Sequence, residues 1–284
     1  MKKLVVIGDP IEHSLSPLMW NAAFGALGLE KEFIYEPLKV KREELGKFVN
    51  RLRGGEILGA NVTMPHKIGI MEYLDELTEE ARSIGAVNTI YTENGAIIGE
   101  NTDGVGCLRA LGEKGVDARG KRVLILGAGG TARAISFVMA LGGVGELIIL
   151  NRTRGRGEEL AKEINQRFST RVIADDLSVV KEASKDADII INCTSLGMSG
   201  GQREKTLITE GMLRPDQAVM DVVYNPLETR LLEEARKVGA TTIRGIDMLV
   251  YQAAINFKRW TGRGAPVALM KKTLIERLSN RDKP

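Results

Sequence analysis

The run Lys121-Arg-Val-Leu-Ile-Leu-Gly127-Ala128-Gly129-Gly130-Thr131-Ala132 constrains this chain more than any other segment. An aliphatic strand pattern leads into a G-x-G-x-x-A turn, and a helical pattern begins at once. Gly127 permits the tight turn, Gly129 lets the backbone approach a pyrophosphate, and Ala132 allows close helix packing, while the helix N-terminus attracts phosphate charge. A Gly-rich turn by itself occurs in any α/β protein. Here strand, turn, helix and a next strand at Leu147 to Leu150 have the spacing of a dinucleotide-binding unit.

The end of that next strand distinguishes the two nicotinamide cofactors. An NAD site normally places Asp or Glu there, about 20 residues past the first Gly, to bind the ribose 2′-hydroxyl. This chain has Asn151-Arg152-Thr153-Arg154-Gly155-Arg156 instead. A carboxylate repels a 2′-phosphate, whereas guanidinium groups bind it through charge-assisted, bidentate hydrogen bonds. NADP is the expected cofactor.

The rest of the chain repeats the alternation of strand and helix. β-Branched and aliphatic runs recur at Leu4 to Ile7, Phe33 to Tyr35, Ile57 to Val62, Val123 to Leu126, Ile189 to Ile191, Ala218 to Val223 and Thr241 to Ile243, with helical-period segments between most of them. Such alternation predicts an α/β protein with mainly parallel sheets. The 284 residues suffice for about two domains. A Gly-rich turn at Ile98 to Gly104 suggests a boundary, and the last two helical patterns, about Ile246 to Trp260 and Pro266 to Leu278, follow the final strand with none after them. They are expected to cross back onto the first half. The expected division is a discontinuous substrate-binding and catalytic domain, 1–103 plus 247–284, and a Rossmann-like NADP-binding domain, 104–246, with a cleft between them. The polar tail Ser279 to Pro284 is expected to fray.

Composition narrows the partners. Lys and Arg number 40 against 37 Asp and Glu, a net charge of +3 that is too small and dispersed for a nucleic-acid or membrane surface. A small-molecule substrate is expected, and a homodimer is compatible with this surface. No apolar run approaches the roughly 18 residues that span a bilayer. Cys107 and Cys193 are the only cysteines, which fits a reducing cytoplasm. His13 and His66 are the only histidines, and neither has a second His or Cys at ligand spacing, so no metal is expected.

The first half offers the chemistry. In Gly8-Asp9-Pro10-Ile11-Glu12-His13-Ser14-Leu15-Ser16-Pro17, Ser16 reads as the N-cap of a helix with Pro17 at its first position. Capping does not explain Ser14. Two hydroxyls beside exposed helix N–H groups form a receptor for a small carboxylate. Asn61-Val62-Thr63-Met64-Pro65-His66-Lys67, Asn88-Thr89 and Asn101-Thr102-Asp103 add polar strand ends with one Lys and one Asp. That lining suits a polyol, whose hydroxyls each need a donor and an acceptor.

At these residues the chain resembles the shikimate dehydrogenase family of the chorismate pathway of aromatic amino-acid biosynthesis. The resemblance runs from Val6 to about Leu269. It is carried in order by Gly8-Asp-Pro-x-x-His-Ser14-x-Ser16-Pro17, Asn61-Val-Thr63-x-Pro-x-Lys67, Gly85-Ala-Val-Asn88-Thr, Gly99-x-Asn101-Thr102-Asp103-Gly, Gly127-Ala-Gly-Gly-x-Ala132 and Asn151-Arg152-Thr153-x-x-Arg156. It continues through Asn192-x-Thr194-Ser-x-Gly197-Met198, Asp221-x-x-Tyr224-x-Pro and Gly245-x-x-Met248-Leu249-x-x-Gln252. It implies an oxidoreductase that reversibly reduces 3-dehydroshikimate to shikimate with NADPH.

The resemblance also implies roles. Ser14 and Ser16 hold the substrate carboxylate; Asn61, Thr63, Asn88, Asp103, Tyr224 and Gln252 hold or surround the ring hydroxyls; Lys67 and Asp103 are the catalytic pair. Gly127, Ala128, Gly129, Gly130, Thr131 and Ala132 hold the pyrophosphate, and Asn151, Arg152, Thr153 and Arg156 the 2′-phosphate. Thr194, Ser195, Met198, Val222, Gly245 and Met248 line the nicotinamide side. Met19-Trp20 stands where the family often has His or Phe, and His66 where an apolar residue is common.

Elementary chemistry agrees. Hydride transfer to a ketone leaves alkoxide charge on oxygen, so the site needs a proton and a cation there, and Lys67 can supply both. Asp103 would accept a hydrogen bond from a neighbouring hydroxyl and pair with Lys67, and the proton is assigned to the pair rather than to either member. Gln252, within a helix whose face also carries Met248 and Asn256, could instead be a satisfied core amide. Two other readings stay open. A quinate/shikimate dehydrogenase would have Thr for one carboxylate-binding Ser and often an acid in the basic loop; a non-catalytic nucleotide-binding homologue would lack the catalytic pair.

Overall fold

The aliphatic runs assemble into two separate six-stranded sheets in the computed structural model, which describes residues 1–281. Contacts divide the chain into two units. The first comprises Met1–Thr102 and Gln252–Arg277, and the second Asp103–Tyr251 and residues 278–281. The passage between units lies inside the penultimate helix rather than at residue 247, and Asp103 opens the second unit instead of closing the first.

The first unit contains β1 (Lys2–Gly8), α1 (Ser16–Ala26), β2 (Phe33–Lys39), α2 (Leu45–Arg53), β3 (Gly59–Val62), β4 (Glu76–Leu77), α3 (Glu79–Ile84), β5 (Thr89–Glu93) and β6 (Ala96–Glu100). The sheet order is β2-β1-β3-β5-β6-β4. Residues Leu4 to Gly8 of β1 are buried in succession, the pattern of a central parallel strand covered on both faces. In α2 the buried residues are Leu45, Phe48, Val49 and Leu52, which places one helical stripe on a core with Val5, Ile7, Val62 and Ile90.

The sheet is mainly parallel, as expected, with β5 antiparallel to both β3 and β6. One expectation changes here. Asn94 and Gly95 both have positive φ, 51° and 84°, the two-residue turn whose twist suits a hairpin. Ile98 to Glu100, read as part of a turn, therefore lies in β6.

The second unit contains α4 (Asp103–Gly112), β7 (Arg122–Leu126), α5 (Gly130–Leu141), β8 (Glu146–Leu150), α6 (Arg154–Asn165), β9 (Arg171–Asp175), α7 (Val180–Asp186), β10 (Ile189–Asn192), β11 (Ala218–Asp221), α8 (Arg230–Lys237) and β12 (Thr241–Ile243). Its strands are all parallel in the order β12-β11-β10-β7-β8-β9, the doubly wound dinucleotide-binding arrangement. The order reverses between β7 and β10, where such sheets bind ligands, and Gly127 follows β7 there. β9 was not anticipated, because at this edge only Val172 is buried.

α9 (Gly245–Thr261) passes from the second unit to the first at Gln252, and α10 (Val267–Arg281) follows. Ser279 and Asn280, expected to fray, are helical; Asp282 to Pro284 lie outside the described residues. No helix among the described residues is long and apolar enough to cross a membrane.

Candidate active site

α1 begins at Ser16 with Leu15 as its N-cap, so Ser16 is the first helical residue and not the cap. Ser14 takes that role in part, its Oγ accepting the Ser16 N–H at 3.4 Å. The Ser16 side chain is buried and makes no hydrogen bond among the described residues. Its hydroxyl is therefore available to a ligand at the start of the helix, where the dipole favours an anion.

The ends of β3, β5 and β6 meet in a buried polar network. Tyr35 donates its hydroxyl to Asn61 Oδ1 at 2.7 Å, and Asn61 Nδ2 lies 3.2 Å from the Asn88 carbonyl oxygen and 3.3 Å from Thr89 Oγ1. Burial raises the Tyr35 phenol far above its usual range, so it stays a neutral donor. Asn88 accepts the Thr102 N–H at Oδ1 (2.9 Å) and donates from Nδ2 to Thr102 Oγ1 (3.1 Å). Asn61 and Asn88, expected to hold ring hydroxyls, thus have both ends of their amides engaged within the network. Gln252 receives Thr102 Oγ1 and Asn256 Nδ2 at its Oε1, each at 3.4 Å, which fixes its amide orientation. The Thr63 hydroxyl has no side-chain partner among the described residues. Lys67 is half-buried, and its carbonyl accepts the Val87 N–H at 2.7 Å. His66 is buried with Nε2 2.7 Å from the Val40 carbonyl oxygen, a structural contact. Among the described residues no cluster of His, Cys, Asp and Glu is built to hold a metal ion.

Asp103 is the first residue of α4, buried, with its carboxylate 3.5 Å from Thr131 Oγ1 in the first turn of α5. Gly104 makes this approach feasible. A Cβ there would stand 2.3 Å from Val138 Cγ2 and 2.8 Å from the Ala134 carbonyl oxygen, so any larger residue drives α4 off α5. Thr131, expected at the pyrophosphate, thus also touches the carboxylate expected to serve in catalysis.

The turn after β7 fits a dinucleotide. Gly127 has φ +106°, a conformation that disfavours residues with a Cβ. Gly129 is the N-cap of α5 with no side chain to offer, and the space where its Cβ would stand is open. Ala128, Gly130 and Thr131 are half-buried and Ala132 is buried.

After β8, Arg152 and Arg156 are exposed and make no ion pair among the described residues. Asn151 Nδ2 donates to the Thr153 carbonyl at 2.8 Å, so this amide shapes the loop, and Thr153 is the N-cap residue of α6. Two free guanidinium groups on an exposed loop fit a 2′-phosphate, and an acidic partner for a 2′-hydroxyl is absent from the end of β8.

On the far side of the switch point, Thr194 is a turn former. Its N–H and hydroxyl both bond Asn192 Oδ1, at 3.1 and 2.7 Å. Asn192 Nδ2 donates to Asp221 Oδ1 at 2.9 Å, and Thr229 donates to Asp221 Oδ2 at 2.7 Å. Asp221 thereby ties together the loops after β10 and β11, which carry Thr194, Ser195, Met198, Val222 and Tyr224. Ser195 and Met198 are exposed, Val222 and Tyr224 half-buried. Gly245 and Met248, at the start of α9, are buried.

Comparison with known proteins covers almost the whole chain. Family models match residues 6–90 (shikimate dehydrogenase substrate binding domain), 110–214 (shikimate / quinate 5-dehydrogenase) and 245–275 (shikimate 5′-dehydrogenase C-terminal domain). The shikimate dehydrogenase (NADP(+)) of Methanopyrus kandleri is 46% identical over 276 residues, 96% of this chain and 94% of that one. The chain belongs to the shikimate dehydrogenase family. A solved member of the family in complex with NADP+ superimposes with a TM-score of 0.90 at 43% identity, covering 98% of this chain and 96% of that one. The shikimate 5-dehydrogenase of Listeria monocytogenes, solved with shikimate and NAD, gives 0.88 at 38% identity and 96% of each chain.

Within the family frame, three residues escaped the sequence reading. Tyr35 looked like an ordinary strand residue, and its link to Asn61 joins two strands distant in sequence. Asn256 was noted only as a neighbour of Gln252 on one helix face, yet it supports that amide. Asp221 stood inside a family motif without a role.

Burial pushes the Asp221 carboxyl up to about 6, against the three hydrogen bonds that lower it. The folded protein then holds this proton over a range, from 3.8 to about 6, where the unfolded chain has released it. Stability from this group is present below pH 3.8 and is lost as pH rises through 6. Two pH units correspond to about 3 kcal/mol. The stability of Asp221→Asn relative to wild type should therefore rise by about that amount between pH 4 and 6.5 in denaturant titrations. A flat difference over that interval would show that Asp221 titrates as an ordinary carboxyl.

Proposed function

We propose that this enzyme reversibly reduces 3-dehydroshikimate to shikimate with NADPH, in chorismate biosynthesis, in a reducing cytoplasm. The carrying observation is the chain-long likeness to NADP-dependent members, joined to two unpaired arginines where an NAD site has an acid. NADPH supplies the hydride when bound. Lys67 places a cation at the ketone oxygen, and the Lys67/Asp103 pair delivers the proton that turns alkoxide into alcohol. Asp103 accepts a hydrogen bond from the adjacent ring hydroxyl and orients the ring. Ser14, Ser16 and Thr63 supply hydroxyls to the substrate, and Gln252 contributes an amide whose orientation Thr102 and Asn256 fix.

A spectrophotometric assay of NADP+ reduction by shikimate, repeated with quinate and with NAD+, tests this reading. High activity with quinate and NAD+ would favour the quinate/shikimate alternative, and no turnover with any pair would favour a non-catalytic homologue.

The serines give a sharper test. Ser16→Ala and Ser14→Ala each delete a hydrogen bond to an anion worth about 1.5 to 3 kcal/mol, so KM for shikimate should rise roughly tenfold to a hundredfold. KM for NADP should stay as in wild type. Only Ser14→Ala should also lower the unfolding temperature, since only Ser14 holds a helix N–H. An unchanged shikimate KM in Ser16→Ala would remove that hydroxyl from the site.

A further inference from the structure

The loop after β8 carries three arginines, and the structure separates one of them from the other two. Arg154, the first residue of α6, directs Nε to Glu158 Oε1 at 2.7 Å and a terminal nitrogen to Asp175 Oδ1 at 3.2 Å. Arg152 and Arg156 pair with nothing among the described residues. Asp175 ends β9 and is in register with Leu150 of β8, and its carbonyl accepts the Asn151 N–H at 3.2 Å. Adjacent strands lie about 4.8 Å apart, so this carboxylate-bearing residue stands beside the start of the arginine loop. Glu158 lies one helical turn beyond the same loop, and Asp176 follows Asp175 with its carboxylate turned to the Ser178 N–H at 2.7 Å.

A carboxylate this near would act on a 2′-phosphate, because charges within about 8 Å remain largely unscreened at physiological salt. NAD has a neutral hydroxyl in that place and would scarcely sense it. We propose that Arg154 is a specificity-determining residue that acts by neutralising Asp175, leaving Arg152 and Arg156 to hold the 2′-phosphate. Arg154 itself is turned to the carboxylates. The inference rests on the reading that the phosphate sits at Arg152 and Arg156.

The test compares kcat and KM with NADP and with NAD for Arg154→Ala, Arg154→Lys, Asp175→Asn, the Arg154→Ala/Asp175→Asn double variant and Arg152→Ala. Arg154→Ala should lower the NADP-to-NAD ratio of kcat/KM about fivefold, all of it in KM for NADP, the scale of an exposed charge interaction. Arg154→Lys keeps the charge and should keep the ratio within about twofold. Asp175→Asn alone should leave the ratio at or above wild type, since Asn retains the acceptor for the Asp176 N–H. In the double variant the ratio should return to near wild type. If the double variant stays as low as Arg154→Ala, Arg154 binds the phosphate itself and the proposal is overturned. If Arg154→Ala keeps the wild-type ratio while Arg152→Ala loses it, the proposal alone fails. If Arg152→Ala also keeps it, the reading of the loop on which the proposal rests fails as well.

Discussion

Replacing Lys67 by alanine should lower kcat at least about a hundredfold, the usual scale for a positioned acid or base, while KM for shikimate stays within several-fold. The split follows from the chemistry. The ammonium meets full negative charge on oxygen only as the carbonyl becomes an alkoxide, so its loss raises the transition state more than the bound ground state. Lys67 is half-buried, and the backbone bond from Val87 to its carbonyl does not depend on the side chain. The variant should therefore fold, which an unchanged unfolding temperature would confirm. A Lys67→Ala enzyme with wild-type kcat would remove this residue from the mechanism.

Cofactor choice should change almost as much when Arg152 and Arg156 are both replaced by glutamine. Wild type should prefer NADP by roughly tenfold to several hundredfold in kcat/KM, if charge-assisted contacts of about 1.5 to 3 kcal/mol form with the 2′-phosphate. The double variant should lose most of that preference through a raised KM for NADP. Both side chains are exposed, so wild-type discrimination should also shrink as salt is raised. Equal use of NAD and NADP by wild type would sink this reading of the loop and reopen the quinate/shikimate alternative.

Much of this molecule was legible one segment at a time. Gly127 announces a turn with positive φ, the apolar spacing in α2 announces a buried stripe, and the basic run after β8 announces an exposed, positively charged loop. Each signal is local: it depends on a residue's own backbone freedom, on helical or strand periodicity, or on charge. The Asn94-Gly95 hairpin carries an equally local signal, two residues that tolerate positive φ between two β-branched runs.

What a polar side chain does was not legible, because its partner comes from a segment brought in by packing. Asn61, Asn88 and Thr194 look like ligand-binding groups in the sequence, and the fold sets Tyr35, Thr102 and Asn192 against them. Ser16 and Thr63 look no different and are left open for a ligand. Arg154 is indistinguishable from Arg152 until Asp175, from the next strand, claims it. By itself the sequence determined most of the order of strands and helices, the positive-φ turn after β7 and the positive charge of the loop after β8. The tertiary structure decided which of its polar groups hydrogen-bond to one another, since a buried donor or acceptor must be satisfied by whatever the fold places against it.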